Sequence, residues 1–240
     1  MIKNKLKYNI MIVKVCGMRD AGNIRAVKEA GADMAGLVFC KESPRYVSMV
    51  NSRSGLIPDF PDRRFAAGNG CGRKPADGIT LVGVFADDMP QNIITRVYNY
   101  GLDCVQLHGD ESTVMIDNLR RTIDPDIRSG LKIIKTIHVS GRADFGKCAE
   151  YEGHVDMFLF DTACEERGGS GRQFDWDALD SYSCQTPFLL SGGIGPEDAD
   201  RIRMISHPMF AGVDINSRFE TAPAVKDAAK VADFIERLRS

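Results

Sequence analysis

The chain has 240 residues, 43% of them hydrophobic, and a formal net charge of −2, so it holds apolar content for one large α/β core or two small ones and lacks the basic excess of a nucleic-acid binder. Its seven cysteines include no CxxC pair and no Cys/His metal spacing, which reads as reduced thiols in a cytoplasm rather than a disulfide scaffold. The basic start MIKNKLKYNI lacks the apolar stretch and cleavage site of a signal peptide, and no apolar run approaches a bilayer span, so no membrane partner is expected.

Short apolar runs recur, each followed by a helical pattern. MIVKV (11–15) predicts a strand, and 20–30 a helix with Ile24, Val27 and Ala30 on one face and Gly31 as its stop. MAGLVF (34–39) is the second strand, before a weaker helix from about Ser48. TLVGVF (80–85) precedes a helix at 90–100, and CVQL (104–107) one at 111–121. LKIIKTI (131–137) precedes 141–151, and VDMFLF (155–160) precedes a short helix near 174–181. PFLL (187–190) precedes 196–205, where Pro196-Glu197-Asp198 makes a good first turn. MFAGVDI (209–215) precedes 223–239, with an apolar stripe through Val225, Ala228, Val231, Ile235 and Leu238.

Strands without apolar/polar alternation suit a parallel sheet buried on both faces. Eight such strand–helix units in this length match a single (β/α)8 barrel over residues 1–240. A doubly wound open sheet is the alternative, and the even spacing favours closure. Residues 52–79, rich in Gly, Pro and Arg, fit no unit and read as a disordered surface insertion. Cys71 within it has no ligand partner nearby in sequence.

In such a barrel the C-terminal strand ends and the loops after them build the site. Polar residues gather there. Cys16 follows strand 1, as either a small core residue or a base at a strand end. Arg45 follows strand 2, as a surface charge or a planar fork for a carboxylate. Gln106 and His108 stand around the end of strand 4, where His108 reads equally well as a ligand contact or a packing residue. Asp161 follows strand 6 and either caps a turn or, held against apolar walls, stays protonated as an acid. After it, 162–173 is long and Gly-rich, like a lid. Gly192-Gly193 in SGGIGPED let backbone approach an anion at a helix start, and Asp214, Asn216 and Ser217 close strand 8. Barrels often bind phosphate with the loops after strands 7 and 8, so a phosphorylated small-molecule substrate is expected.

Taken together, KVCGM (14–18), GADMAGLVF with SPRYVS (31–39, 43–48), VGVF (82–85), DCVQLHGDE (103–111), FDT with GGSGRQFDW (160–162, 168–176), LSGGIGPED (190–198) and GVDINSRFE with KD (212–220, 226–227) resemble the phosphoribosylanthranilate isomerases of tryptophan biosynthesis. The motifs run in order from about residue 11 to the end. The resemblance implies an Amadori rearrangement of N-(5-phosphoribosyl)anthranilate to 1-(2-carboxyphenylamino)-1-deoxyribulose 5-phosphate, with no cofactor and no metal. It implies Cys16 as general base and Asp161 as general acid. It implies Arg45 near the anthranilate carboxylate, His108 and Asp214 lining the pocket, and Gly192, Gly193, Asn216 and Ser217 on the phosphate. A monomer or homodimer fits it. The chain departs from the family pattern at Asn216-Ser217-Arg218, where Ser-Ser-Gly is frequent and where Arg218 adds a positive charge. The nearest rival, indole-glycerol-phosphate synthase, needs lysines at strand ends, and Lys14, Lys132 and Lys135 stand in or beside strands. A phospho-ligand binder without catalysis is the rival of another class, expected to have lost Cys16 or Asp161, and both are present.

Overall fold

The computed structural model describes residues 11–48, 78–163 and 173–240. The expected insertion at 52–79, apart from Gly78 and Ile79, lies outside the described residues, as do the helix from about Ser48 and most of the 162–173 loop. Eight strands are β1 Ile12–Val15, β2 Met34–Val38, β3 Thr80–Phe85, β4 Cys104–Leu107, β5 Lys132–Val139, β6 Met157–Thr162, β7 Phe188–Leu190 and β8 Phe210–Ile215. They close in sequence order, all parallel, with β8 returning to β1.

The helices that match expectation carry the start and stop signals their sequences promised. In α1 (Ala21–Glu29) the Asp20 carboxylate accepts from the Asn23 N–H at 2.8 Å, and Ile24 and Val27 are buried three residues apart. Pro90 opens α2 (Pro90–Tyr100), and Gly101, at φ 59°, closes it. Ser112 caps α3 (Thr113–Ile123), which buries Ile116, Leu119 and Ile123.

Four expected helices differ. Residues 142–147 form a 3-10 turn, followed by one α-turn, α4 (Cys148–Tyr151). Here the Asp144 carboxylate accepts from the Ser140 and Gly141 N–H groups, capping the chain too early for a full helix. Trp176–Ser181 is likewise 3-10, started by Asp175. Pro196–Asp198 is a 3-10 turn before a five-residue α5 (Ala199–Arg203). The last helix, α6 (Ala228–Arg239), begins five residues late because Asp227 is its cap. Before it, β9 (Glu220–Ala222) and β10 (Val225–Lys226) form an antiparallel hairpin.

The strands divide their side chains with period two. One row, including Val13, Val15, Leu37, Phe85, Leu107, Ile137, Phe158, Phe160, Phe188 and Ile215, packs outward with helix residues such as Ile24, Val27, Ile93, Ile116, Val231 and Phe234. The other row faces the barrel axis. Its apolar layer is Val82, Cys104, Ile134, Leu159 and Leu189, with Ile12, Met34 and Met157 against it. Two residues further along six of the strands, counting Asp214 on β8, the inward row changes character, while β2 and β3 stay apolar there with Val38 and Val84 beside Cys16. Ile12 gives way to Lys14 and then Cys16, Cys104 to Gln106, Ile134 to Thr136 and His138, Leu159 to Asp161, and Leu189 to Ser191. The axis is therefore apolar below and polar at the C-terminal mouth, which fixes where chemistry can occur.

Candidate active site

Register builds the deepest contact. Lys14 of β1 stands opposite Asp214 of β8. Their side chains meet at 2.9 Å with 0% and 5% exposure. Burial opposes the Lys14 charge, but the Asp214 carboxylate and Cys16 beside it push Lys14 up to about 12. Burial also lifts the Asp214 carboxyl, with Lys14 pulling against it. The lysine stays cationic, and that charge is what the site has to work with.

Cys16 lies two residues beyond Lys14 on the same inward row and is buried. Burial pushes its thiol up, the Lys14 ammonium pulls it down, Asp214 pushes it up again and Lys226 pulls it down. Across the barrel wall, Gly36 of β2 leaves the sulfur its space. A Cβ there would stand 2.9 Å from Cys16 Sγ and 3.2 Å from Lys14 Nζ.

Asp161 belongs to β6 itself rather than to the loop after it. One carboxylate oxygen accepts from the Thr162 N–H at 3.0 Å. The other lies 3.9 Å from His108 Nε2. Burial pushes the Asp161 carboxyl up to about 6, while His138 pulls it down and Asp214 pushes it further up. Asp161 is thus an acid that holds its proton into the weakly acidic range. Among the described residues no hydrogen bond joins Cys16 and Asp161. Cys16 directly follows β1 and Asp161 lies on β6, and these strands are three steps apart around the ring by way of β7 and β8.

His108 and His138 flank Asp161. Their rings stand edge to face at 4.8 Å, and His138 Nε2 lies 3.2 Å from the His108 carbonyl oxygen. Behind them, buried Gln106 donates to Thr136 Oγ1 at 3.0 Å, while its own Oε1 has no partner.

Arg45 holds a carboxylate, but one of the protein's own. Its Nε and Nη2 fork onto Glu220 at 2.8 and 2.7 Å. Glu220 also accepts from Lys226 Nζ at 2.5 Å, and Lys226 reaches Asn216 Oδ1 at 2.9 Å. The β9–β10 hairpin thereby docks the loop after β2 against the loop after β8. Arg45 Nη1 lies outside this fork.

The two glycine-bearing loops meet. Gly192 and Gly193 have φ of 88° and 65°, a path L side chains rarely take, and a Cβ at Gly192 would collide with Thr162. Gly193 offers its carbonyl to Gln173 at 3.1 Å and to Arg218 at 3.5 Å, so the Gly192-Gly193 turn and the Asn216-Ser217-Arg218 turn are neighbours. Arg218 also pairs with Glu197. The helix-start argument for this loop does not hold as expected. The Gly195 N–H already donates to Asp198 at 2.7 Å, and the α-helix beyond is only five residues long.

Lys14, Glu220, Lys226 and His138 are the site residues sequence reasoning passed over. Lys14 and His138 carried a usable signal, since each lies two residues from another inward polar position, Cys16 and Thr136. Glu220 ends the GVDINSRFE motif and Lys226 falls in the helix expected from 223, and neither is singled out because only the β9–β10 hairpin brings them to Arg45. Of the three lysines that kept the synthase rival open, Lys14 belongs to the site and the other two are engaged elsewhere. Lys132 pairs with Asp156 on the surface, and Lys135 binds Glu111 and the Gly109 carbonyl, fastening the loop after β4.

A closed eight-stranded parallel barrel whose inward row turns polar at the C-terminal mouth is the architecture of a (β/α)8-barrel enzyme. Residues 71–237 match the family model for N-(5'-phosphoribosyl)anthranilate isomerase. An N-(5'-phosphoribosyl)anthranilate isomerase of Phocaeicola vulgatus is 40% identical over 229 residues, 95% of this chain and 98% of that one. A phosphoribosyl anthranilate isomerase solved with reduced 1-(o-carboxyphenylamino)-1-deoxyribulose 5-phosphate is 26% identical, with TM-score 0.70 over 95% of this chain and 98% of that one. A structure of monomers generated from the dimeric isomerase of Thermotoga maritima matches at 26% identity, TM-score 0.70 and the same coverage. The chain belongs to the phosphoribosylanthranilate isomerase family and is an isomerase.

Proposed function

We propose that the chain converts N-(5-phosphoribosyl)anthranilate to 1-(2-carboxyphenylamino)-1-deoxyribulose 5-phosphate, with Asp161 as general acid and Cys16 as general base. The observation that carries the assignment is the inward row at the mouth. It holds a carboxyl kept protonated to about 6 on β6 and a thiol beside a buried ammonium on β1.

Asp161 gives its proton to the furanose oxygen as the bond from that oxygen to C1 breaks. The anthranilate nitrogen supplies the electron pair, leaving a Schiff base at C1 and a free hydroxyl. Cys16 thiolate then takes the proton from C2. The released pair forms the C1–C2 double bond and neutralises the nitrogen. Tautomerisation of this enolamine puts the ketone at C2 and a second hydrogen on C1. The substrate gains one proton from Asp161 and loses one to Cys16, and in the tautomerisation the C2 hydroxyl loses one as C1 gains one, so its composition is unchanged; proton exchange with solvent then restores the carboxyl and the thiolate.

Lys14 stabilises the thiolate form of Cys16, and the field of Asp214 limits how far it does so. His108 and Asp214 line the path between the two proton-transfer groups. Arg45, steadied by Glu220, offers Nη1 to the anthranilate carboxylate. Gly192, Gly193, Asn216 and Ser217 surround the phosphate, with Arg218 reaching between their loops. We treat residues 1–240 as one barrel domain acting in the cytoplasm as monomer or homodimer, without cofactor or metal. The test is the pair Cys16→Ser and Asp161→Asn. Each should lower turnover by about 10²-fold or more with the circular dichroism of the parent. Near-normal turnover in either removes that residue from the mechanism.

A further inference from the structure

The mouth of the barrel carries a second kind of chemistry that the isomerisation does not use. His138 and Asp161 are register partners on β5 and β6, so both project from the same level. His108 at the end of β4 completes the group. One ligand atom from each of the three residues lies within 4.8 Å of the others. His138 is exposed and His108 half-buried, so the group opens to solvent. Two imidazoles and a carboxylate are the donor set that binds borderline divalent ions, whereas Mg2+ and Ca2+ want oxygen alone. Ligand atoms on a tetrahedral zinc stand roughly 3.4 Å apart. The contraction needed is of order 1 Å, within reach of rotating the exposed His138 side chain.

We propose that His108, His138 and Asp161 form a binding site for a divalent transition-metal ion of the Zn2+ and Co2+ class, and that its occupation arrests the enzyme. Ligation keeps Asp161 as a carboxylate and seats the ion where substrate must enter. The arrest rests on the acid role given to Asp161 above; the binding does not.

Co2+ titration of the purified chain, with a non-thiol phosphine reductant present, tests the site. The expected result is one equivalent bound, with visible d–d absorption and no sulfur-to-cobalt charge-transfer band. His138→Gln should weaken that binding about tenfold or more. In parallel, Zn2+ or Co2+ should suppress turnover of the parent reversibly by chelator, with no effect from Mg2+. His138→Gln, measured against its own metal-free rate, should need about tenfold more metal for the same suppression. Co2+ binding that His138→Gln leaves unchanged, or a sulfur charge-transfer band pointing to Cys16 or Cys40, overturns the proposal. Co2+ binding that depends on His138 while turnover is undiminished supports the site, overturns the arrest and counts against Asp161 as the acid.

Discussion

Lys14→Met separates the structural and chemical work of one buried charge. The ammonium is fully buried and 2.9 Å from Asp214, which is itself almost completely covered. Removing it strands a carboxylate inside the barrel, at a cost of about 3–5 kcal/mol. A domain of this kind has only about 5–15 kcal/mol in total, so the variant should fold with a much lower urea midpoint. Adding Asp214→Asn removes the stranded charge and should recover about 2 kcal/mol, an interaction far outside simple additivity. The chemical consequence runs through Cys16. Lys14 is the cation that most lowers its thiol, so Lys14→Met moves that thiol further up. At a fixed pH below the thiol's own range, the thiolate fraction falls with that shift, by tenfold for each pKa unit, or about 1.4 kcal/mol. The assay is the rate of Cys16 alkylation by iodoacetamide across pH, followed on the Cys16 peptide by mass spectrometry. A loss of stability below about 1 kcal/mol, or an alkylation profile that stays in place, refutes the coupling of Lys14 to both partners.

The pH profile of kcat/KM has a definite sign. Cys16 must be deprotonated and Asp161 protonated, yet the acid titrates at about 6 and the thiol lies above its ordinary 9.0. The active form is therefore a constant minority between those limits. Activity should fall tenfold per unit below about pH 6, stay flat above it, and fall again beyond the thiol's range. In Asp161→Asn the residual rate should instead climb with pH through the neutral range, and a retained plateau would contradict the assignment. Arg45→Ala should raise KM by about 10–100-fold, the worth of a charged hydrogen-bonded pair, with a smaller change in kcat. An unchanged KM removes Arg45 from substrate binding. Sulfate or phosphate soaked into crystals should bind between the 191–195 and 214–218 loops, and an anion held elsewhere on the barrel would refute the phosphate site.

The strands were legible because each is a short apolar run with a sharp polar end, and TLVGVF and CVQL coincide with β3 and β4. Helices with a marked start and stop, such as Pro90–Tyr100 between its opening proline and Gly101, are legible for the same reason. The helix expected from 223 was not. Pro223 offers no N–H, and Val225 pairs with Ala222 before Asp227 caps the helix. A stripe of apolar residues continues across both elements, so periodicity alone cannot find that boundary. The site shows the same division. Cys16 and Asp161 stand out because a polar group ends an apolar run. The Arg45–Glu220 fork joins residues 175 apart, and only the folded hairpin reveals that the arginine already has a carboxylate. Lys14 looked like a strand lysine until register set it against Asp214.

The most direct test is turnover of N-(5-phosphoribosyl)anthranilate by the purified chain, followed by loss of the substrate's fluorescence, beside Cys16→Ser and Asp161→Asn at equal concentration. The expected result is enzyme-dependent loss of fluorescence with the parent and about 10²-fold slower loss with each variant. A folded parent that leaves the fluorescence unchanged, or variants that consume substrate as fast as the parent, would contradict the roles assigned to the thiol and the carboxyl at the barrel mouth.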